Sequence, residues 1–139
     1  MTKGPSYGFD TLQVHAGSRP DPTTGARQTP IYQSTAFVFR DADHAAALFN
    51  LQEVGYIYSR LTNPTVAVLQ ERIATLEGGA GGVCCSSGHA AQIMALFPLM
   101  GPGCNVVVST RLYGGTITQF SQTIQRFGWS AKFVDFDDE

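Results

Sequence analysis

Three short stretches of this chain carry side chains that could do chemistry. In "YIYSRLTNPT", residues 56–65, Arg60 follows Tyr58 by two positions and stands just ahead of an Asn-Pro helix start. A guanidinium forks onto two phosphate oxygens and a phenol donates one more hydrogen bond, so the pair suits a phosphoester. A lone Tyr-Ser-Arg run favours the plainer reading of a surface arginine held by a tyrosine. In "SSGHAA", residues 86–91, Ser86 and Ser87 can cap a helix, Gly88 lets a ligand approach the backbone, and the amides of Gly88 and His89 open the first turn. Unpaired first-turn N–H groups and the helix dipole together favour an anion. Ser-Ser-Gly is often only a cap, and neither a Walker loop nor a GxGxxG pattern strengthens it. In "STRLYGGTITQF", residues 109–120, Tyr113 precedes Gly114 and Gly115, which leave room beside its ring. Such a tyrosine suits stacking on a flat ligand, and a surface tyrosine in a Gly turn is the even alternative. Taken together, an anion cap, a stacking ring and a phosphate clamp describe one ligand, a planar aromatic phosphate.

The histidines add less. His89 has no acidic neighbour in sequence, so its backbone amide is expected to act while its side chain is incidental. His15 and His44 share no metal-ligand spacing with it, and no metal site is expected.

The elements that must position these residues follow from apolar rhythm and turn residues. Residues 1–35, rich in Gly, Pro, Thr and Ser, read as an extended arm lying on the rest of the chain or on a neighbouring subunit. A short helix with body "HAAALF" follows, capped by Asp41 or Asp43. A clearer helix is predicted over 64–77, where Asn63 caps, Pro64 opens, and Val66, Leu69, Ile73 and Leu76 repeat before Gly78 and Gly79 stop it. From Gly81 the rhythm changes to strands near 82–86, 104–109 and 131–136, with helices near 88–99 and 115–127. Strand–helix alternation at this spacing implies an α/β fold with a largely parallel sheet. The continuously apolar runs "GVCC" and "NVVV" are expected to be covered on both faces. Both the Ser-Ser-Gly loop and Tyr113 then fall at the carboxyl ends of strands, where open parallel sheets bind ligands.

Composition excludes several classes of function. The chain has 139 residues, 43% hydrophobic and 14% charged, with a net charge of −2. No basic stripe is available for nucleic acid or an acidic membrane surface. No apolar run approaches the roughly 20 residues that cross a bilayer, and "MTKGPSYGFD" lacks a signal-peptide core, so a cytoplasmic protein is expected. Three cysteines, Cys84 and Cys85 adjacent in an apolar segment, suit reduced, buried thiols rather than a disulfide framework. The chain stops at "FVDFDDE", straight after a strand-like run, and is expected to be the N-terminal piece of something longer.

At this point the motifs resemble a known family. "QTPIYQSTAFVF", "YIYSRLTNPTVAVLQERIATLEGG", "CCSSGHAAQ" and "STRLYGGT" occur in the order found in the Cys/Met-metabolism family of pyridoxal-phosphate enzymes, fold type I. The resemblance runs from about Leu12 onward. Within the family, "LFNLQEVGYIYSRLTNPT" is most similar to the O-acetylhomoserine sulfhydrylases. The γ-synthases and γ-lyases more often read Ser-Gly-Asn-Pro-Thr after the arginine, and the γ-lyases carry a cysteine where this chain has Gly115.

The resemblance implies pyridoxal phosphate as cofactor, a dimer-based, tetrameric homo-oligomer, and a homoserine ester with sulfide or a thiol as substrates. It implies that residues 1–62 form an arm and subunit-interface segment, and that 63–139 begin the cofactor-binding α/β domain. Tyr58 and Arg60 would reach the cofactor phosphate of the neighbouring subunit. Ser87, Gly88 and His89 would hold the phosphate of their own subunit, His89 replacing a more usual Met or Gln. Tyr113 would stack on the pyridine ring and assist proton transfer or leaving-group departure. The cofactor-bearing lysine, the aspartate facing the pyridine nitrogen and the arginine for the substrate carboxylate would lie beyond position 139. Neither Lys3 nor Lys132 matches the lysine motif, so the chain alone is expected to be inert and to act with the remainder of the enzyme. Three other readings stand beside the sulfhydrylase. One is a different family member, such as a methionine γ-lyase or cystathionine γ-synthase. Another is a non-catalytic chain that lends its Tyr-Arg clamp and arm to a partner's site, and a third is a free-standing phosphate-binding α/β module.

Overall fold

Asn63 starts the best-defined element of the chain. Its backbone is extended and its side-chain oxygen accepts the Thr65 N–H at 2.9 Å, opening α3, Pro64–Leu76. At the other end Gly78 takes φ +67. The Gly79 N–H donates to the Ala74 carbonyl at 2.7 Å and the Gly78 N–H to Thr75 at 3.4 Å, the two bonds of a Schellman ending. The predicted span is confirmed, with Glu77 as the cap.

The computed structural model describes residues 7–135, so Lys3 and Phe136 lie outside the described part. The chain forms two compact units, Met1–Cys84 and Cys85–Glu139. In the first, α2 is Ala42–Phe49, and Asp41 rather than Asp43 caps it by accepting the His44 N–H at 2.7 Å.

The expected extended arm needs correction, because it contains a helix, α1, Phe9–His15. An acidic residue in the first turn, Asp10, complements the helix dipole. Beyond it the arm is fastened to α3 of its own chain. Arg72 donates from Nε to the Ala16 carbonyl at 2.9 Å and from its terminus to the Ser18 hydroxyl. Gly17 makes the close approach possible: at φ +71, a Cβ there would lie 2.6 Å from the Val68 carbonyl oxygen. Asp21 then folds the next turn. Hydrogen bonds from Thr24, and from the Thr23 backbone, hold its carboxyl below the usual carboxylate range.

The second unit holds the sheet. β1, Asn105–Ser109, pairs in parallel with β2, Ser130–Val134, in register from Asn105 opposite Ser130 to Ser109 opposite Val134. The connection contains α5, Gly114–Ser121, and a 3-10 turn, Thr123–Phe127. Val108, Phe120, Ile124 and Trp129 form the core, with Ile93 and Leu96 of α4, Gly88–Leu96, packed against it.

Several expectations are overturned here. Residues 82–86 form no ladder, because β1 and β2 pair with each other and nothing among the described residues pairs with this run. Cys84 and Cys85 are therefore exposed free thiols rather than buried ones, and Val83 is 75% exposed. β1 is covered on one face only, since Val108 is buried while Val107 is 64% exposed. Helix α4 ends three residues early because Pro98 has no N–H to continue the ladder. The helix predicted over 115–127 breaks at Gln122, whose ψ of −52 accompanies a non-helical φ of −130.

Candidate cofactor site

The first unit builds a mount for Arg60. The Phe37 N–H donates to Ile57 at 3.0 Å and the Ser59 N–H to Thr35 at 2.9 Å, flanking an antiparallel bridge between Ala36 and Tyr58. The Ser59 hydroxyl also donates to the Ser34 carbonyl. From the other side, the Asn63 amide donates to the Tyr32 carbonyl and to the Ser59 hydroxyl, each at 2.9 Å. Thr65 completes the fastening, accepting the Tyr32 N–H at 2.9 Å and donating to the Pro30 carbonyl at 2.8 Å. Asn63 was legible as a helix cap. Its second task, tying the arm to the residue before Arg60, was not. The guanidinium carbon of Arg60 sits 4.9 Å from the centroid of the Tyr58 ring. The side chain is exposed and makes no ion pair among the described residues. A cation propped on an aromatic face, with its fork toward solvent, is free to take an anion.

The second unit brings Ser87, Gly88, His89 and Tyr113 together. Ser87 caps α4, its hydroxyl oxygen accepting the Ala90 N–H at 3.1 Å. The N–H groups of Gly88 and His89 donate to no acceptor among the described residues. At Gly88 an added Cβ would meet nothing within 4 Å, so the backbone there is uncrowded on its side-chain face. Tyr113 precedes α5, its carbonyl accepting the Thr116 and Ile117 N–H groups at 2.8 and 3.0 Å. Its ring is 77% exposed and lies 6.2 Å from the His89 imidazole, tilted by 37°.

Three polar residues that the sequence reading passed over brace this unit. Gln92 donates to the Thr116 hydroxyl at 3.1 Å, and Gln119 donates to the His89 carbonyl at 3.0 Å. Thr116 and Gln119 are buried, and the side-chain oxygens of Gln92 and Gln119 have no donor among the described residues. Their signal was present: Gln92 interrupts an apolar helix, and Thr116 and Gln119 share a helix face at a spacing of three. A concavity of about 510 Å³ opens beside them, bordered by His89, Met94, Gly115 and Gln119. Among the described residues no three His, Cys, Asp or Glu side chains gather to hold a metal.

Open amides at a helix start beside an exposed tyrosine ring suit a phosphorylated aromatic ring, and the exposed guanidinium of the first unit suits a phosphate by itself. The model of the family described as Cys/Met metabolism PLP-dependent enzymes matches residues 10–139. The chain belongs to this family. It is 52% identical over 126 residues to O-acetyl-L-homoserine sulfhydrylase 1 of Thermus thermophilus, covering 91% of this chain and 30% of that one. A crystal structure of a putative O-acetylhomoserine (thiol)-lyase from Campylobacter jejuni, containing a pyridoxyl-lysine phosphate, superposes with a TM-score of 0.89 at 47% identity. That match covers 96% of this chain and 32% of its counterpart. A cystathionine gamma-lyase from Lactobacillus plantarum superposes with a TM-score of 0.79 at 35% identity, covering 95% and 32%. The chain thus spans about 30% of the length of the curated relatives it matches. The α/β fold read from the sequence is that of the family's fold type I enzymes, whose cofactor is pyridoxal phosphate.

Proposed function

We propose that this chain is the N-terminal part of an O-acetylhomoserine sulfhydrylase, a transferase that replaces the acetate of O-acetylhomoserine with sulfide or a thiol to give homocysteine or methionine. The observation that carries the reading is the pair of open amides at Gly88 and His89 in the unit that also presents Tyr113. The relatives named above support the sulfhydrylase over a γ-lyase, at 52% identity against 35%.

In this reading the Gly88 and His89 N–H groups donate to the cofactor phosphate, and Ser87 holds the helix start that aims them. Arg60 adds a charged fork and Tyr58 a phenol from the neighbouring subunit of a dimer-based, tetrameric assembly. Tyr113 would stack on the pyridine ring, and its hydroxyl would hand a proton to the departing acetate. When bound, pyridoxal phosphate supplies the electron sink for carbanions beside the amino-bearing carbon. The lysine that carries the cofactor is supplied by the remainder of the enzyme, since neither Lys3 nor Lys132 stands in its motif. Residues 1–62 serve as arm and interface, and 63–139 open the cofactor domain. The enzyme is cytoplasmic and needs neither nucleic acid nor membrane. Among the described residues no helix is long and apolar enough to cross a bilayer.

The test is the full-length parent enzyme, loaded with pyridoxal phosphate and given O-acetylhomoserine with sulfide. Homocysteine should form faster than α-ketobutyrate. Predominant release of α-ketobutyrate and ammonia, with little homocysteine, would assign the chain to an eliminating enzyme instead.

A further inference from the structure

The His89 side chain is not incidental in the structure. Its imidazole and the Tyr113 phenol close over the same glycine. A Cβ on Gly115 would lie 2.7 Å from Tyr113 Cε1, 2.9 Å from His89 Cε1 and 3.0 Å from His89 Nε2. The ring centroids are 6.2 Å apart at a tilt of 37°. A side chain at 115 would push one or both rings aside, so its absence lets the two rings meet. The His89 backbone is itself anchored, because buried Gln119 donates to its carbonyl at 3.0 Å. Gln92 and Thr116 tie the same two helices at 3.1 Å. Tyr113, by contrast, is 77% exposed and has a ring contact with His89 alone among the described residues. A mostly exposed ring resting on one fixed neighbour takes its orientation from that neighbour.

We propose that His89 is a positioning residue for Tyr113: its imidazole, admitted by Gly115 and fixed by Gln119, sets the angle at which the tyrosine ring meets a flat ligand. The role rests on Tyr113 stacking against the cofactor ring, as in the functional reading above. It is separate from any contact of the His89 amide with phosphate, which every residue except proline would provide at that position.

Two measurements on the full-length enzyme test this. The first uses the protein freed of cofactor, with tyrosine rings labelled for NMR and the Tyr113 signals assigned by Tyr113→Phe. In His89→Ala the Tyr113 ring signals should shift and sharpen as the ring gains freedom, and His89→Phe should keep them dispersed. Unchanged Tyr113 signals in His89→Ala would overturn the proposal, and would do so whatever the enzyme's reaction. The second is a double-mutant cycle on pyridoxal phosphate affinity. Aromatic pairs of this separation predict a loss of about 2- to 10-fold for His89→Ala. In a Tyr113→Ala background the same change should cost less than about twofold. His89→Phe should recover most of the loss. An equal loss in both backgrounds would mean that His89 acts without Tyr113. Failure of the wild-type enzyme to bind pyridoxal phosphate would refute the functional reading, while the ring signals would still decide the contact.

Discussion

Replacing Arg60 with alanine in the full-length enzyme should weaken cofactor binding while sparing the fold. The structure separates the two effects. The guanidinium is exposed, has no ion pair among the described residues, and rests only on the Tyr58 ring at 4.9 Å. Losing an exposed cation–π contact costs about 0.5–1 kcal/mol, a minor loss for a whole enzyme. Losing a charged hydrogen bond to phosphate costs about 1.5–3 kcal/mol, on the order of a 10- to 100-fold weaker cofactor. Arg60→Lys should fall between, since it keeps the charge and loses the fork. Cofactor retention is read by its absorbance after dialysis, and fold integrity by the unfolding midpoint of the cofactor-free protein. Mixing then asks which subunit is served. Arg60→Ala subunits are combined with subunits lacking the cofactor-bearing lysine. In a mixed dimer one site receives both an intact lysine and an intact clamp. Random pairing makes half the dimers mixed with one good site of two, so roughly a quarter of full activity should return. Unchanged cofactor retention in Arg60→Ala would remove Arg60 from the phosphate. No recovery despite confirmed subunit exchange would place the clamp in its own subunit.

Two further substitutions probe the scaffold. Asn63 is only 8% exposed, and Asn63→Ala removes an N-cap and leaves the Tyr32 backbone carbonyl without its amide donor, which should cost about 2–4 kcal/mol in denaturant unfolding and loosen cofactor binding through Arg60. A loss below about 0.5 kcal/mol would mean that the arm is not held there. Ile124→Ala empties the one fully buried large side chain among the described residues and should cost about 2–5 kcal/mol by the same measurement. Retention of wild-type stability would show that the core around Val108, Phe120 and Trp129 closes without it.

What the sequence disclosed was local. Asn63, Pro64 and the Gly78-Gly79 stop define α3 within one residue because capping bonds join neighbours in sequence. Ser87 is equally legible, as its hydroxyl reaches only to Ala90. Strand pairing is not local. "GGVCC" and "NVVVS" look alike in composition, yet only the second finds a ladder, because a strand exists through its partner. The buried cysteines failed for the same reason. The His89–Tyr113 contact spans two helix starts 24 positions apart, and its one trace in sequence is Gly115, a glycine already credited to making room. The tether between Asn63 and Tyr32 crosses 31 positions and leaves no periodic trace at all.

Much of the apolar surface lies open. Helix α4 reads Gly-His-Ala-Ala-Gln-Ile-Met-Ala-Leu and has no buried residue, although a helix that is apolar nearly all round normally lies inside a larger body. Val66, Leu69 and Ile73 of α3 are open too, as are Val38, Leu51 and Val54 in the unit that carries Arg60. Patches of this kind mark surfaces that other protein covers. Leu61, next to Arg60, is one of these open residues, while the backbone beneath the pair is pinned by Ser34, Thr35 and Asn63. Rigid backbone below and an apolar flank with an unpaired cation above are what a donor segment at a protein–protein interface requires. An arginine intended for solvent would need neither the pinning nor the flank. That combination supports Arg60 serving a site on the surface that covers it.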